Sequence, residues 1–114
     1  MEGKINILES IKNEKDIKRI LNEGKYLNKR YFVVYINKTT RKSEVIKTRF
    51  IVTKKIGTAV VRNKIKRLLR ETLRMFSNND YYEIEIIIIV KKGMELLNFW
   101  NINKEISKVL KKIL

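Results

Sequence analysis

The 114-residue chain has no cysteine, no histidine and no proline, and only two aspartates. Without cysteine there is no disulfide and no thiolate ligand. Without histidine there is no imidazole ligand and no His-based general catalysis. Asp16 and Asp80 lie far apart in the sequence, which is poor material for a two-metal nuclease site built from clustered carboxylates. These absences predict that the chain does not itself break bonds. Low-complexity tracts, Gly/Ser linkers and internal repeats are also missing, so residues 1–114 read as one domain. The longest apolar run, residues 84–90 (IEIIIIV), is too short to span a bilayer and contains Glu85. The N-terminal MEGKINILESIKNEK mixes charges with isoleucines and does not resemble a signal peptide. A soluble, cytoplasmic protein with no membrane partner is expected.

Negative charge is scarce. Twelve Asp and Glu face 27 Lys and Arg, a formal net charge of +15. In so short a chain this excess points to nucleic acid or an anionic membrane surface, with nucleic acid well ahead. Solubilising lysines would usually be interspersed with acids. A hydrophobic content of 44% predicts a folded chain.

Asn13 can cap a helix running to about Asn22, with Gly24 as its stop and Ile17, Ile20 and Leu21 on one side. Residues 31–36 (YFVVYI) read as a strand, with Tyr31, Val33 and Tyr35 on one face and Phe32, Val34 and Ile36 on the other. Residues 37–43 (NKTTRKS) read as a hairpin connection and 45–53 as a second strand. Thr58 is the expected N-cap of a helix reaching about Phe76, which the SNND loop at 77–80 ends. Residues 83–90 predict a strand buried on both faces. A last helix is expected over 95–113, with Leu97, Trp100, Ile102, Ile106, Val109, Leu110 and Ile113 as its apolar residues. This order predicts an α+β fold, a two-layer sandwich with helices packed on a small mixed sheet.

The basic segment KKIGTAVVRNKIKRLLR, residues 54–70, holds seven cations and no acid. On a helical wheel Asn63, Lys66, Arg67, Arg70 and Arg74 fall within an arc of roughly 100°. Ile65, Leu68, Leu69, Thr72, Leu73 and Phe76 take the opposite side. Arg62 and Lys64 lie near the helix start, where cations oppose the dipole by a few tenths of a kcal/mol each. Phosphate would reverse that cost, and Asn63 can serve a sugar hydroxyl, a phosphate or a base edge. Such a face suits a polyanion, foremost a nucleic-acid backbone. Tyr26, Tyr31, Phe32 and Tyr35 lie on or near the first long strand, and one or two of them could stack unpaired bases.

The run KKIGTAVVRNKIKRLLRETLR resembles the signature of the bacterial ribonuclease P protein subunit. The family frame, Lys-Lys-x-Gly-x-Ala-Val-x-Arg-Asn-Arg-x-Lys-Arg-x-x-Arg, is present at Lys54, Lys55, Gly57, Ala59, Val60, Arg62, Asn63, Lys66, Arg67 and Arg70. Lys64 replaces the last arginine of the Arg-Asn-Arg core, keeping charge but losing the bidentate fork. The similarity extends to the N-terminal helix, the RYFVVY strand, the NND loop and the C-terminal helix. It implies an α-β-β-β-α-β-α order with a left-handed βαβ crossover, against the general right-handed rule. It also implies a protein that joins a catalytic RNA, one protein per RNA, to remove the 5′ leader of precursor tRNA with magnesium. The RNA would perform the hydrolysis. Lys54, Lys55, Arg62, Asn63, Lys64, Lys66, Arg67, Arg70 and Arg74 would bind RNA, and Ile17, Leu21 and Tyr35 would line a leader groove. Ile17 and Leu21 stand where the family often has aromatics, so they offer apolar contact without stacking. A non-catalytic ribosome- or tRNA-associated RNA-binding module is the competing reading. A self-sufficient nuclease is disfavoured by the missing histidines and carboxylate cluster.

Overall fold

A computed structural model describes residues 5–76 and 82–114; the expected SNND loop lies outside them. Five strands form one mixed sheet in the order β1-β4-β5-β3-β2. They are β1 (Ile7–Ser10), β2 (Lys25–Asn28), β3 (Phe32–Lys42), β4 (Val45–Ile51) and β5 (Tyr82–Val90). The helices are α1 (Glu14–Glu23), α2 (Ala59–Met75) and α3 (Phe99–Ile113), with a 3-10 turn at Met94–Leu96. β4 runs parallel to both β1 and β5, whereas β3 is antiparallel to β5 and β2.

Alternation along the strands creates two apolar faces. Phe32, Val34, Ile36, Ile46, Phe50 and, from β5, Ile84, Ile86, Ile88 and Val90 pack with α2 and α3 residues in the main core. Ile87 faces the other way and meets Ile11 and Ile20 under α1. α1 therefore adds a partial third layer to the expected two-layer sandwich. The isoleucine run of β5 is buried on both faces because helices cover both.

Both expected caps form. The Asn13 side chain accepts from Lys15 N at 2.8 Å and Thr58 Oγ1 from Val61 N at 3.4 Å. Gly24 ends α1 for a reason other than a left-handed turn, since its φ is −70°. A Cβ there would sit 2.6 Å from the Ile20 carbonyl oxygen and 3.1 Å from that of Ile36. Close backbone approach excludes a side chain. Gly93 does adopt positive φ, 111°, and its missing Cβ makes room for the Tyr31 ring.

Several expectations are corrected. β1 and β2 are absent from the residue pattern, being four-residue strands at the two sheet edges. Most of the expected 37–43 connection is strand: Asn37 pairs with Glu85, Lys38 with Ile84, and Lys42 with Tyr82 after a register shift. Pairing with β5 overrides the polar composition. β4 ends at Ile51, short of 53. The last helix starts four residues later than expected, at Phe99, after Asn98 accepts from Asn101 N at 2.9 Å. Trp100, expected in its apolar stripe, is 75% exposed.

Candidate nucleic-acid interface

α2 is held by one face. Ile65, Leu69, Thr72 and Leu73 are its buried residues, and the Thr72 hydroxyl donates to the Leu68 carbonyl at 3.0 Å. The far end is fixed by Asn6, whose Nδ2 donates to the carbonyls of Leu73 (2.8 Å) and Phe76 (2.7 Å) and whose N–H donates to that of Arg74 (2.9 Å). These bonds satisfy carbonyls that a helix C-terminus leaves without partners. The sequence offers no sign of them, since the cap and its acceptors are about seventy residues apart.

With that face buried, Asn63, Lys64, Arg67, Arg70 and Arg74 are exposed, and Arg62 and Lys66 are half-buried at the flank. Lys54 and Lys55 are exposed in the turn before α2, which Ile56 anchors by its burial and by its N–H bond to Thr53 O. The predicted RNA-facing residues thus lie along one helix and the turn that leads into it. None of these cations has a carboxylate partner among the described residues. Arg62 Nε is buried and has no acceptor among the described residues. Such an orphan donor is costly unless a ligand supplies the acceptor.

One part of this face was missed by sequence reasoning. Ser10, Thr48, Arg49, Phe50, Lys66 and Arg70 line a recess of about 130 Å³ where α2 meets the sheet. β1 pairing ends at Ser10 opposite Thr48, so β4 becomes the sheet edge at Arg49. Arg49 lines the recess together with Lys66 and Arg70. Alternation sets the Arg49 side chain on the face of its ladder partner Ile87, and Arg49 borders the recess at the sheet edge that β1 leaves open beyond Thr48.

Across the sheet, Ile17, Leu21 and Tyr35 do come together, half-buried around Ile11, Ile20 and Ile87. Tyr26 of β2 stacks on Tyr35, with ring centroids 5.5 Å apart and planes 29° apart. α1 is pinned beside this groove by an ion pair. Arg19 Nη1 and Nη2 donate to Glu85 Oε1 and Oε2 at 2.9 and 2.7 Å, and Asn37 Nδ2 donates to Oε1 at 2.8 Å. Burial would raise the Glu85 pKa, but the hydrogen bonds from Arg19 and Asn37, with the charges of Arg19 and Lys47, together hold it below the ordinary carboxylate range. The Glu85 hydrogen bond raises the Arg19 pKa in turn. An acid set inside the isoleucine run was the only signal of this pair.

A depressed folded-state pKa makes Glu85 stabilising above its unfolded pKa, and that contribution is lost as pH falls through the folded value. Thermal unfolding across pH 3–7 is expected to show declining stability on the acid side, below the ordinary glutamate pKa of about 4.3. Glu85→Gln should lose stability near neutrality and flatten that acid limb. An unchanged limb in the variant would show that other carboxylates set it.

No group of three or more Asp, Glu, His or Cys gathers to hold a metal among the described residues. No described helix is long and apolar enough to cross a membrane.

A mixed α+β sheet with a cationic helix whose charges have no carboxylate partner among the described residues defines a small basic protein of the nucleic-acid-binding class. Comparison with known proteins identifies the family. The ribonuclease P family model matches residues 6–114. A ribonuclease P protein component from Dictyoglomus turgidum is 41% identical over 107 residues, covering 91% of this chain and 87% of the relative. One from Streptococcus pneumoniae is 34% identical, covering 89% and 80%. The solved ribonuclease P protein of Thermotoga maritima superposes with a TM-score of 0.78 at 29% identity, covering 93% of this chain and 98% of that one. The chain belongs to the ribonuclease P protein family. Its role is that of a subunit of ribonuclease P, the endoribonuclease holoenzyme of tRNA 5′ processing, and its partner is ribonuclease P RNA.

Proposed function

We propose that α2 and the turn before it hold the ribonuclease P RNA, and that the groove under α1 holds the 5′ leader of precursor tRNA. The observation that carries the first part is a cationic face that, among the described residues, has no carboxylate partner, with Arg62 Nε buried beside it and without an acceptor there. Phosphates supply both the charge and the acceptors. The second part is supported by the convergence of Ile17, Leu21 and Tyr35 at one half-buried surface, on the sheet face opposite α2. Catalytic RNA and substrate would then occupy opposite faces of the sheet. Magnesium in the holoenzyme would be held by RNA, and the assembly would work in the cytoplasm with one protein per RNA.

Changing Ile17 or Leu21 to Phe tests the groove. Base stacking on an aromatic ring is worth about 1–3 kcal/mol, so affinity for leader-bearing substrate should rise about fivefold or more in the holoenzyme. Affinity for mature tRNA should stay level. If these residues only fill the core, overpacking would instead cost about 1–3 kcal/mol in thermal unfolding without selective tightening. That outcome would remove the leader from this groove.

A further inference from the structure

Trp100 is the chain's one tryptophan. It is 75% exposed at the start of α3, with Phe99 edge-on to it at 5.3 Å. At about 100° per residue, Trp100, Lys104, Lys108 and Lys111 share an arc of roughly 80°. All four are exposed. The three lysines also line a groove of about 620 Å³ between α3 and the C-terminal end of α2, with Met75 and Phe76 as apolar lining. Among the described residues no carboxylate lines it. Glu105, the acid within α3, borders a different recess, beside Tyr31. Glu95, just before α3, is engaged by Lys92 at 3.2 Å and by the Gly93 N–H at 2.7 Å.

Solvent-exposed tryptophan is uneconomical in a free monomer, and a lysine row without acids is repulsive. An unpaired nucleic-acid strand resolves both: a base stacks on the indole and successive phosphates meet the ammonium groups. A protein partner would more often meet an apolar patch rimmed by both signs of charge. α3 lies in the same layer as α2, on the sheet face away from the α1 groove. We propose that the outer face of α3, from Trp100 along Lys104, Lys108 and Lys111, is a second RNA-binding surface that takes an unpaired segment of the catalytic RNA. It shares with the preceding reading the RNA partner but not the residues.

Because Trp100 is unique, its fluorescence reports on this surface alone. Titrating the full-length protein with catalytic RNA should quench the emission. Trp100→Ala should weaken binding about tenfold with unchanged melting temperature, and Trp100→Phe should recover most of the loss. Changing Lys104, Lys108 and Lys111 together to Gln should lower the salt dependence of binding. An Arg62, Lys66 and Arg70 triple alanine variant should still quench at raised RNA concentration, which separates failure of this surface from failure of the α2 interface. Unaltered emission with wild-type affinity in Trp100→Ala would overturn the proposal. Quenching by precursor tRNA alone but not by catalytic RNA would overturn it too. So would a protein-concentration-dependent blue shift without RNA, which marks self-association through Trp100.

Discussion

Replacing Arg62, Lys66 and Arg70 together with alanine is expected to weaken binding to ribonuclease P RNA by about a hundredfold to a thousandfold. Hydrogen bonds to charged groups are worth roughly 1.5–3 kcal/mol each, and every 1.4 kcal/mol is about tenfold in affinity. The three side chains follow one another at i, i+4 and i+8 on α2, so their losses will not add fully. The salt dependence gives an independent reading. Each phosphate no longer neutralised should reduce the slope of log affinity against log salt by about 0.7 to 0.9. The triple variant should therefore lose about two units of slope. Its melting temperature should hold or rise, because crowded cations near a helix start repel one another and none has a carboxylate partner among the described residues. Filter binding at several salt concentrations and thermal unfolding of the same protein decide the matter. Wild-type affinity with a wild-type slope would show that RNA meets another face.

The asymmetry of α2 was legible because cap, apolar stripe and cationic stripe all lie within one continuous segment and obey one period. Thr58 and the 59–76 pattern locate the helix to within a residue of Ala59–Met75. β5 was legible for a similar reason, since its isoleucines need burial on both faces. The features that escaped depend on partners remote in sequence. β1 and β2 are strands only because β4 and β3 accept them at the sheet edges. Asn6 reads as an ordinary polar residue until it meets the end of α2. Arg49 borders the cationic recess at the sheet edge that β1 leaves open beyond Thr48, a fact no period encodes. Ile17, Leu21 and Tyr35 were grouped by resemblance, and the fold supplies the physical reason: all three border the apolar patch around Ile87. Trp100 shows the converse error. It counts among the apolar residues of α3, but at about 100° per residue it lies opposite Ile102, Ile106 and Val109, on the lysine side, and the indole is exposed.

Leu69→Ala is expected to do the reverse of the arginine and lysine changes. Leu69 is 0% exposed and belongs to the core that joins α2 to β5 and α3. Removing a buried leucine side chain costs about 2–5 kcal/mol, from lost transfer energy and from the cavity left behind. The upper end applies where neighbours cannot collapse inward, and the well-paired central strand β5 beneath α2 leaves little such freedom. A domain of this size is stable by about 5–15 kcal/mol, so the variant should remain folded at low temperature yet melt roughly 10 °C or more earlier. Leu68→Ala, on a half-buried neighbour, should cost less. Because Leu69 lies on the face away from the cations, RNA affinity measured well below the melting transition should match wild type. Saturating RNA should raise the melting temperature of the Leu69 variant and of wild type alike, since binding only the folded state stabilises it by mass action. Weakened RNA binding by fully folded Leu69→Ala would mean that the cationic face depends on core packing for its shape. The helix would then be a single coupled unit, without the separation of a structural side from a binding side.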